Sequence, residues 1–197
     1  MRKILLISLV LISVNLFSQN FKGGIIVGIS TSQVSGDNLG GYHKAGLCIG
    51  VFTQLPISEI AHLKMEMNFI QKGSNNPKML KNEIPDISTS YLEVPISVNY
   101  YQNEMTALEI GAQVAFLLIS TDNDIYGPQQ SELINPFNKL DIGVFIGMNY
   151  HITDKIILNS RMSNSIIPIR SHPSNVTYYL NRGQYNSLLI FTIHYNI

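Results

Sequence analysis

The sequence predicts an all-β fold, an eight-stranded antiparallel up-and-down transmembrane β-barrel. Three observations predict it. Apolar and polar residues alternate with a period of two along most of the chain, as in strands with one apolar and one polar face. The alternating segments run about 9–12 residues, near the length a tilted strand needs to cross a bilayer and beyond the usual globular strand of about 5–6. The connections are short and long in turn, and the strand count is even, the pattern of an outer-membrane barrel.

The first element is a leader. Met1-Arg2-Lys3 is basic, Ile4 to Phe17 is apolar apart from Ser8, Ser13 and Asn15, and Ser18-Gln19-Asn20 forms a small, polar exit. This reads as a secretory signal peptide over residues 1–18, with the barrel domain over 19–197. A membrane anchor needs about 20 apolar residues, and this run is shorter. Cleavage near Ser18 removes Arg2 and Lys3, leaving 11 basic against 13 acidic residues. The lone cysteine, Cys48, has no partner for an internal disulfide and cannot build a cysteine metal cluster.

The strands follow in order. Phe21–Ser32 sets Ile25, Val27 and Ile29 on one face and Gly24 and Gly28 on the other, and Ala45–Leu55 repeats this with Leu47, Ile49 and Val51 against Gly46 and Gly50. In Ala61–Lys72 the apolar residues Leu63, Met65, Met67 and Phe69 alternate with Lys64, Glu66 and Asn68. Ser90–Tyr101 carries Leu92, Val94, Ile96 and Val98 against Glu93, Ser97 and Asn99. Ala107–Leu118 opposes Leu108, Ile110 and Val114 to Glu109 and Gln113. Asn138–Tyr150 opposes Ile142, Val144, Ile146 and Met148 to Asp141, Gly143 and Gly147. Lys155–Ser163 bears Asn159 and Arg161. Asn186–Asn196 is imperfect, because Leu188 and Ile190 fall on its polar side. Pro95 is a second irregularity. It lacks the N–H a ladder needs, and a closed barrel has no free edge, so a local bulge beside Glu93 is expected.

Pro56–Ile60, Gln102–Thr106 and His151–Asp154 are short turns, whereas Gly73–Thr89, Ile119–Phe137 and Asn164–Tyr185 are long and polar. With eight strands both ends of the barrel chain lie at the short-turn end, which is periplasmic in such barrels.

Alternation alone does not say which face points outward, since a secreted lipocalin-like barrel shows the same period. The membrane arrangement is favoured on three counts. The apolar face of the first three strands already carries ten large residues, and eight strands at that rate would overfill so narrow an interior. The opposite face carries the glycines, which suit a crowded inner side. Charged residues make up only 13% of the chain, about half of the roughly 25% usual in soluble domains. Thirteen basic and thirteen acidic residues give no net field, against nucleic-acid binding and against a polybasic membrane-surface protein.

If the apolar face meets lipid, the polar face lines the lumen. Lys64, Glu66, Glu93, Glu109, Asp141 and Arg161 then form a lumen charge cluster, with Lys64 and Arg161 as the partners of the carboxylates. Arg161 with Glu93 is one candidate pair, inferred from shared facing. A plug of ion pairs fits eight strands better than a proton or ion path, because so few strands leave no wide channel. A glycosidase reading of the clustered carboxylates fails for want of a substrate cleft. Tyr42, Tyr91, Tyr100, Tyr101, Tyr150 and Tyr195 fall near strand ends, where they suit a headgroup girdle or simply follow β-propensity. His43, His62, His151, His172 and His194 show no metal-ligand spacing and are expected in loops or solvent. No catalytic motif is found, and no metal or cofactor is assigned. Asn175-Val176-Thr177 matches a glycosylation sequon, which has no force in a bacterial envelope.

The stretch Tyr91-Leu92-Glu93-Val94-Pro95, with apolar alternation after it, resembles a strand of the PorT-like outer-membrane β-barrel proteins. Met67-Asn68-Phe69-Ile70-Gln71-Lys72-Gly73 is similar to the strand before it, Asp141-Ile142-Gly143 with Gly147 to a later one, and Arg161-Met162-Ser163 to the next. The resemblance implies a small eight-stranded barrel of the outer membrane. The expected function is a non-enzymatic outer-membrane barrel with a charged, largely plugged lumen and long extracellular loops, in a structural, accessory or partner-binding role. Outer-membrane lipid is its expected partner, with an envelope protein bound through the loops. The alternatives are a narrow porin-like transport channel and a secreted lipocalin-like barrel carrying a small apolar ligand.

Overall fold

The computed structural model describes residues 21–37, 40–75, 86–124, 127–129, 136–171 and 183–197. The expected leader over 1–18, His172 and the sequon at 175–177 lie outside them. Eight long strands form one closed sheet: β1 (Lys22–Ser35), β2 (Lys44–Pro56), β3 (Ala61–Ser74), β4 (Asp86–Tyr101), β5 (Thr106–Asp124), β7 (Leu140–His151), β8 (Ile156–Ser165) and β9 (Tyr185–Asn196). A three-residue strand, β6 (Gly127–Gln129), pairs with the end of β5. Sequential strands pair antiparallel all the way round, and β9 closes on β1 from Gly24↔Asn196 to Ser35↔Tyr185. Closure leaves no long strand with an unpaired edge, the condition for placing backbone amides in hydrocarbon.

The turn end is held by short side-chain caps. Asn103 Oδ1 accepts from the backbone amides of Met105 and Thr106, and Thr153 Oγ1 from those of Lys155 and Ile156. At the other end the strands outrun their predicted limits. β4 begins at Asp86 and β5 continues to Asp124, pairing Ser88↔Thr121 and Thr89↔Ser120. These polar residues carry no hydrophobic alternation, so only the ladder marks them as strand. The connections expected over Gly73–Thr89 and Ile119–Phe137 are correspondingly shorter.

The bulge expected beside Glu93 is not there. Pairing of β3 with β4 lapses between Met65↔Ile96 and Asn68↔Glu93 and resumes in the same register, while Pro95 keeps its place opposite Gln113. The proline thus costs ladder contacts without an inserted residue. Among the described residues the one bulge lies in β5: Tyr91 pairs Leu117 and Ser90 pairs Ile119, leaving Leu118 extra. Leu118 and Ile119 consequently both face outward, and the inward set passes from the odd positions to Asp122.

The faces are those of a membrane barrel. Ile110 and Ile146 are 66% and 60% exposed, as are Ile25, Ile49, Met67 and Val144 to a lesser degree, while Lys64, Glu93, Glu109 and Asp141 are at most 2% exposed. A lipocalin-like barrel would show the reverse, so that alternative is overturned. The glycines do face inward, and the register gives the reason: Gly24 opposes Phe52, Gly111 opposes Phe145, Gly147 opposes Glu109 and Gly143 opposes Gln113. In each of these four pairs a large lumenal side chain lies across from a residue with none, which lets a narrow interior fill without overlap. At Gly111 a Cβ would stand 2.5 Å from the Phe145 ring and 2.4 Å from the Ile96 carbonyl oxygen.

Tyr100, Tyr150 and Tyr195 face outward at the turn end, as a girdle would. Tyr91 does not. It is fully buried in the lumen.

Candidate lumen site

All six predicted charged residues enter the lumen, but as two groups rather than one. Nearer the turn end, β3 contributes Lys64 and Glu66, β5 Glu109 and β8 Arg161. Lys64 Nζ lies 3.0 Å from Glu66 and 2.8 Å from Glu109, and Arg161 Nη2 lies 2.7 Å and 3.1 Å from the same two carboxylates. Two cations and two anions form a neutral quartet. Arg161 grips Glu66 with both terminal nitrogens, and its guanidinium sits 4.2 Å from the Phe145 ring centroid. Glu109 Oε1 also accepts from Ser97, and Oε2 from Asn159; Glu66 Oε2 accepts from Asn68. No carboxylate oxygen of the quartet is left without a donor, the condition for burying charge at tolerable cost. Toward the turns an amide ladder continues, Asn159 donating to Asn149 at 2.8 Å and Asn149 to Asn99 at 2.7 Å.

The second group lies toward the loop end. Lys72 Nζ is 2.6 Å from Glu93 Oε2 and 3.4 Å from Asp141 Oδ2, and 4.9 Å from the Tyr91 ring centroid. Gln113 donates to Glu93 and Asn186 to Asp141. The inferred pairing of Arg161 with Glu93 is therefore corrected: Arg161 serves Glu66 and Glu109, and Lys72 serves Glu93. Shared facing could not resolve this, because strand tilt and stagger decide which inward residues reach the same level.

Two apolar clusters pack among and above these groups. Cys48, Ile70, Tyr91, Ala115, Leu188 and Ile190 pack together in the first. Leu188 and Ile190, imperfections by sequence, are thus lumenal packing. Val34, Ile87, Phe137 and Ile169 form the second at the loop end, with Leu117 touching both clusters. Beside it Arg170 Nη1 meets Asp122 Oδ2 at 2.6 Å, and the Arg170 guanidinium lies 4.3 Å from the Phe137 ring centroid.

Lys72, Asp122 and Arg170 are missing from the predicted set. Lys72 shares the even-numbered face of β3 with Lys64 and Glu66, so its phase was a usable signal. Asp122 sits beyond the bulge, and Arg170 follows β8 outside any periodic segment, so neither had one. Of the described histidines, His43 is exposed outside the strands as expected, and the others depart from expectation. His194 is buried in the lumen against Phe52, ring centroids 5.3 Å apart. His62 and His151 both contact Tyr101 at the turn-end mouth, in a recess of about 310 Å³ also lined by Gln54 and Glu104.

Residues 17–171 match the family model described as outer membrane protein beta-barrel domain. Among solved structures the chain is similar to Ail, the attachment invasion locus protein of Yersinia pestis, with 10% identity, TM-score 0.54, and coverage of 89% of this chain and 98% of that one. It is equally similar to Neisserial surface protein A, with 11% identity, TM-score 0.54, and coverage of 89% and 97%. Ail has also been solved in complex with the heparin analogue sucrose octasulfate, at 11% identity, TM-score 0.52, and coverage of 90% and 99%. At such identities the likeness is one of fold. No curated protein matches the sequence. Charged lumen, apolar exterior, closed antiparallel sheet and family match agree, and the chain belongs to the outer membrane protein β-barrel domain family as a protein of the outer membrane.

Proposed function

We propose that this protein is a sealed, non-enzymatic outer-membrane barrel with a structural or accessory role, whose long loops bind a component of the envelope. The carrying observation is the stacking across the lumen of a neutral quartet, an apolar layer with a charged layer beside it, and an apolar cap. A narrow barrel filled at several levels by paired charges and packed side chains is a plug rather than a path. The engagement of Glu66 and Glu109 by cations, amides and a hydroxyl also removes them as acids or bases, which supports the non-enzymatic reading. The short turns and both described chain ends then face the periplasm and the loop end faces outward, consistent with the expected signal peptide over residues 1–18. The motifs from Met67 to Gly73 and from Tyr91 to Pro95 support the finer assignment to the PorT-like group.

Reconstitution in planar bilayers tests the sealed lumen. The wild-type barrel is expected to give little or no conductance. Steady, sizeable channels would establish the narrow transport pore instead.

A further inference from the structure

The charges of the lumen do not balance level by level. The quartet of Lys64, Arg161, Glu66 and Glu109 is neutral, and so is Arg170 with Asp122. The Lys72 layer holds one cation against two carboxylates, Glu93 and Asp141, each at most 1% exposed. Arg161 makes its ion pairs with Glu66 and Glu109 instead. Single acceptors lack donors at the balanced levels too, on Asn68, Asn159 and Asp122, but four gather at the unbalanced one. Among the described residues Glu93 Oε1, Asp141 Oδ1, Gln113 Oε1 and Asn186 Oδ1 are all buried without a hydrogen-bond partner, and the Tyr91 hydroxyl is the one such group there that could donate. The two amides stand at the carboxylates, since Gln113 Nε2 donates to Glu93 Oε2 at 3.1 Å and Asn186 Nδ2 to Asp141 Oδ2 at 3.0 Å. Each amide uses its donor on a carboxylate and keeps its carbonyl oxygen in the same layer.

From this coincidence of charge and chemistry we infer that the Lys72–Glu93–Asp141–Asn186 layer binds one alkali-metal cation through carboxylate and amide oxygens. Carboxylate and amide oxygens are the ligands hard cations take. The charge count selects a monovalent ion, because a divalent one would leave an excess positive charge beside Lys72. A proton on one carboxylate would correct the charge but supply a single donor, whereas a metal cation engages several oxygens at once. Burying the net charge unmet would carry the cost of an unpaired ion in a low dielectric.

The test is the unfolding midpoint of the detergent-folded barrel, measured at constant ionic strength as choline chloride is replaced by sodium or potassium chloride. The wild-type midpoint is expected to rise saturably with at least one alkali cation and not with choline, as linkage requires for an ion bound only by the folded state. Asp141→Asn, which makes the layer neutral at nearly constant shape, should abolish the dependence; Glu93→Gln serves if that variant does not fold. An equal response to all three salts would overturn the proposal, leaving screening, with water on the oxygens. So would a midpoint that moves with pH alone, since the balancing charge would then be a proton.

Discussion

At the scale of the residue, stability in the lumen rests on which cation reaches which carboxylate. Arg161 touches both Glu66 and Glu109 and stacks on Phe145, so Arg161→Ala leaves Lys64 alone against two buried anions. The expected loss is about 3–5 kcal/mol, read from the urea unfolding midpoint of the folded barrel. Adding Glu66→Gln should recover part of it. Adding Glu93→Gln should recover much less, because Glu93 makes its ion pair with Lys72 and faces Arg161 only through space. Recovery through Glu93 equal to that through Glu66 would mean that the quartet is wrongly drawn. A second prediction concerns Gly111, where a Cβ meets both the Phe145 ring and the Ile96 carbonyl. Gly111→Ala should cost about 1–3 kcal/mol by overpacking, and Phe145→Leu should relieve only the ring's share.

At the scale of the element, the bulge in β5 sets how the strand passes from membrane band to loop end. Because Leu118 is the inserted residue, its deletion restores a regular ladder and keeps Asp122 facing inward toward Arg170. Deleting Ile110, in the regular part of the same strand, shifts one side of it by a residue and exchanges its faces. The Leu118 deletion should therefore still give the heat-modifiable gel shift of a folded barrel, and the Ile110 deletion should abolish it. β3 shows how much of the site an element's own pattern reveals. Its even positions placed Lys64 and Glu66 in the lumen from sequence, and the same phase reaches Lys72. The first cluster's Leu188 and Ile190 show the opposite case, since an apolar residue on an inward face looks like an error until its neighbours from other strands are known.

At the scale of the whole molecule, the exterior must be compatible with hydrocarbon. Ile110→Arg and Val144→Arg, both on the lipid face, should each cost about 2–4 kcal/mol near the midplane, whereas leucine at either position should be tolerated. Folding titrations in lipid bilayers measure this. Orientation is checked with single cysteines in a Cys48→Ser background. A bulky thiol reagent applied to intact cells should label a cysteine at Gly40, exposed at the loop end. It should label one at Asn103, in a turn, only after the envelope is broken. The opposite pattern would reverse the proposed topology.

What the sequence by itself determined was everything carried by a period of two. The eight long strands, the facing of residues in their regular parts, the glycine-lined interior, the short turns and the six lumenal charges all follow from alternation and turn chemistry within one strand or one connection. Tertiary structure alone decided what depends on several strands at once. The split of the charges into two levels, the exchange of Arg161's partner, the Leu118 bulge, the pairing of polar strand ends and the approach of Arg170 to Asp122 each require the tilt and stagger of neighbours. Alternation tells a side chain which face to take but not the height at which it arrives, and ion pairs over a few ångströms are settled by height.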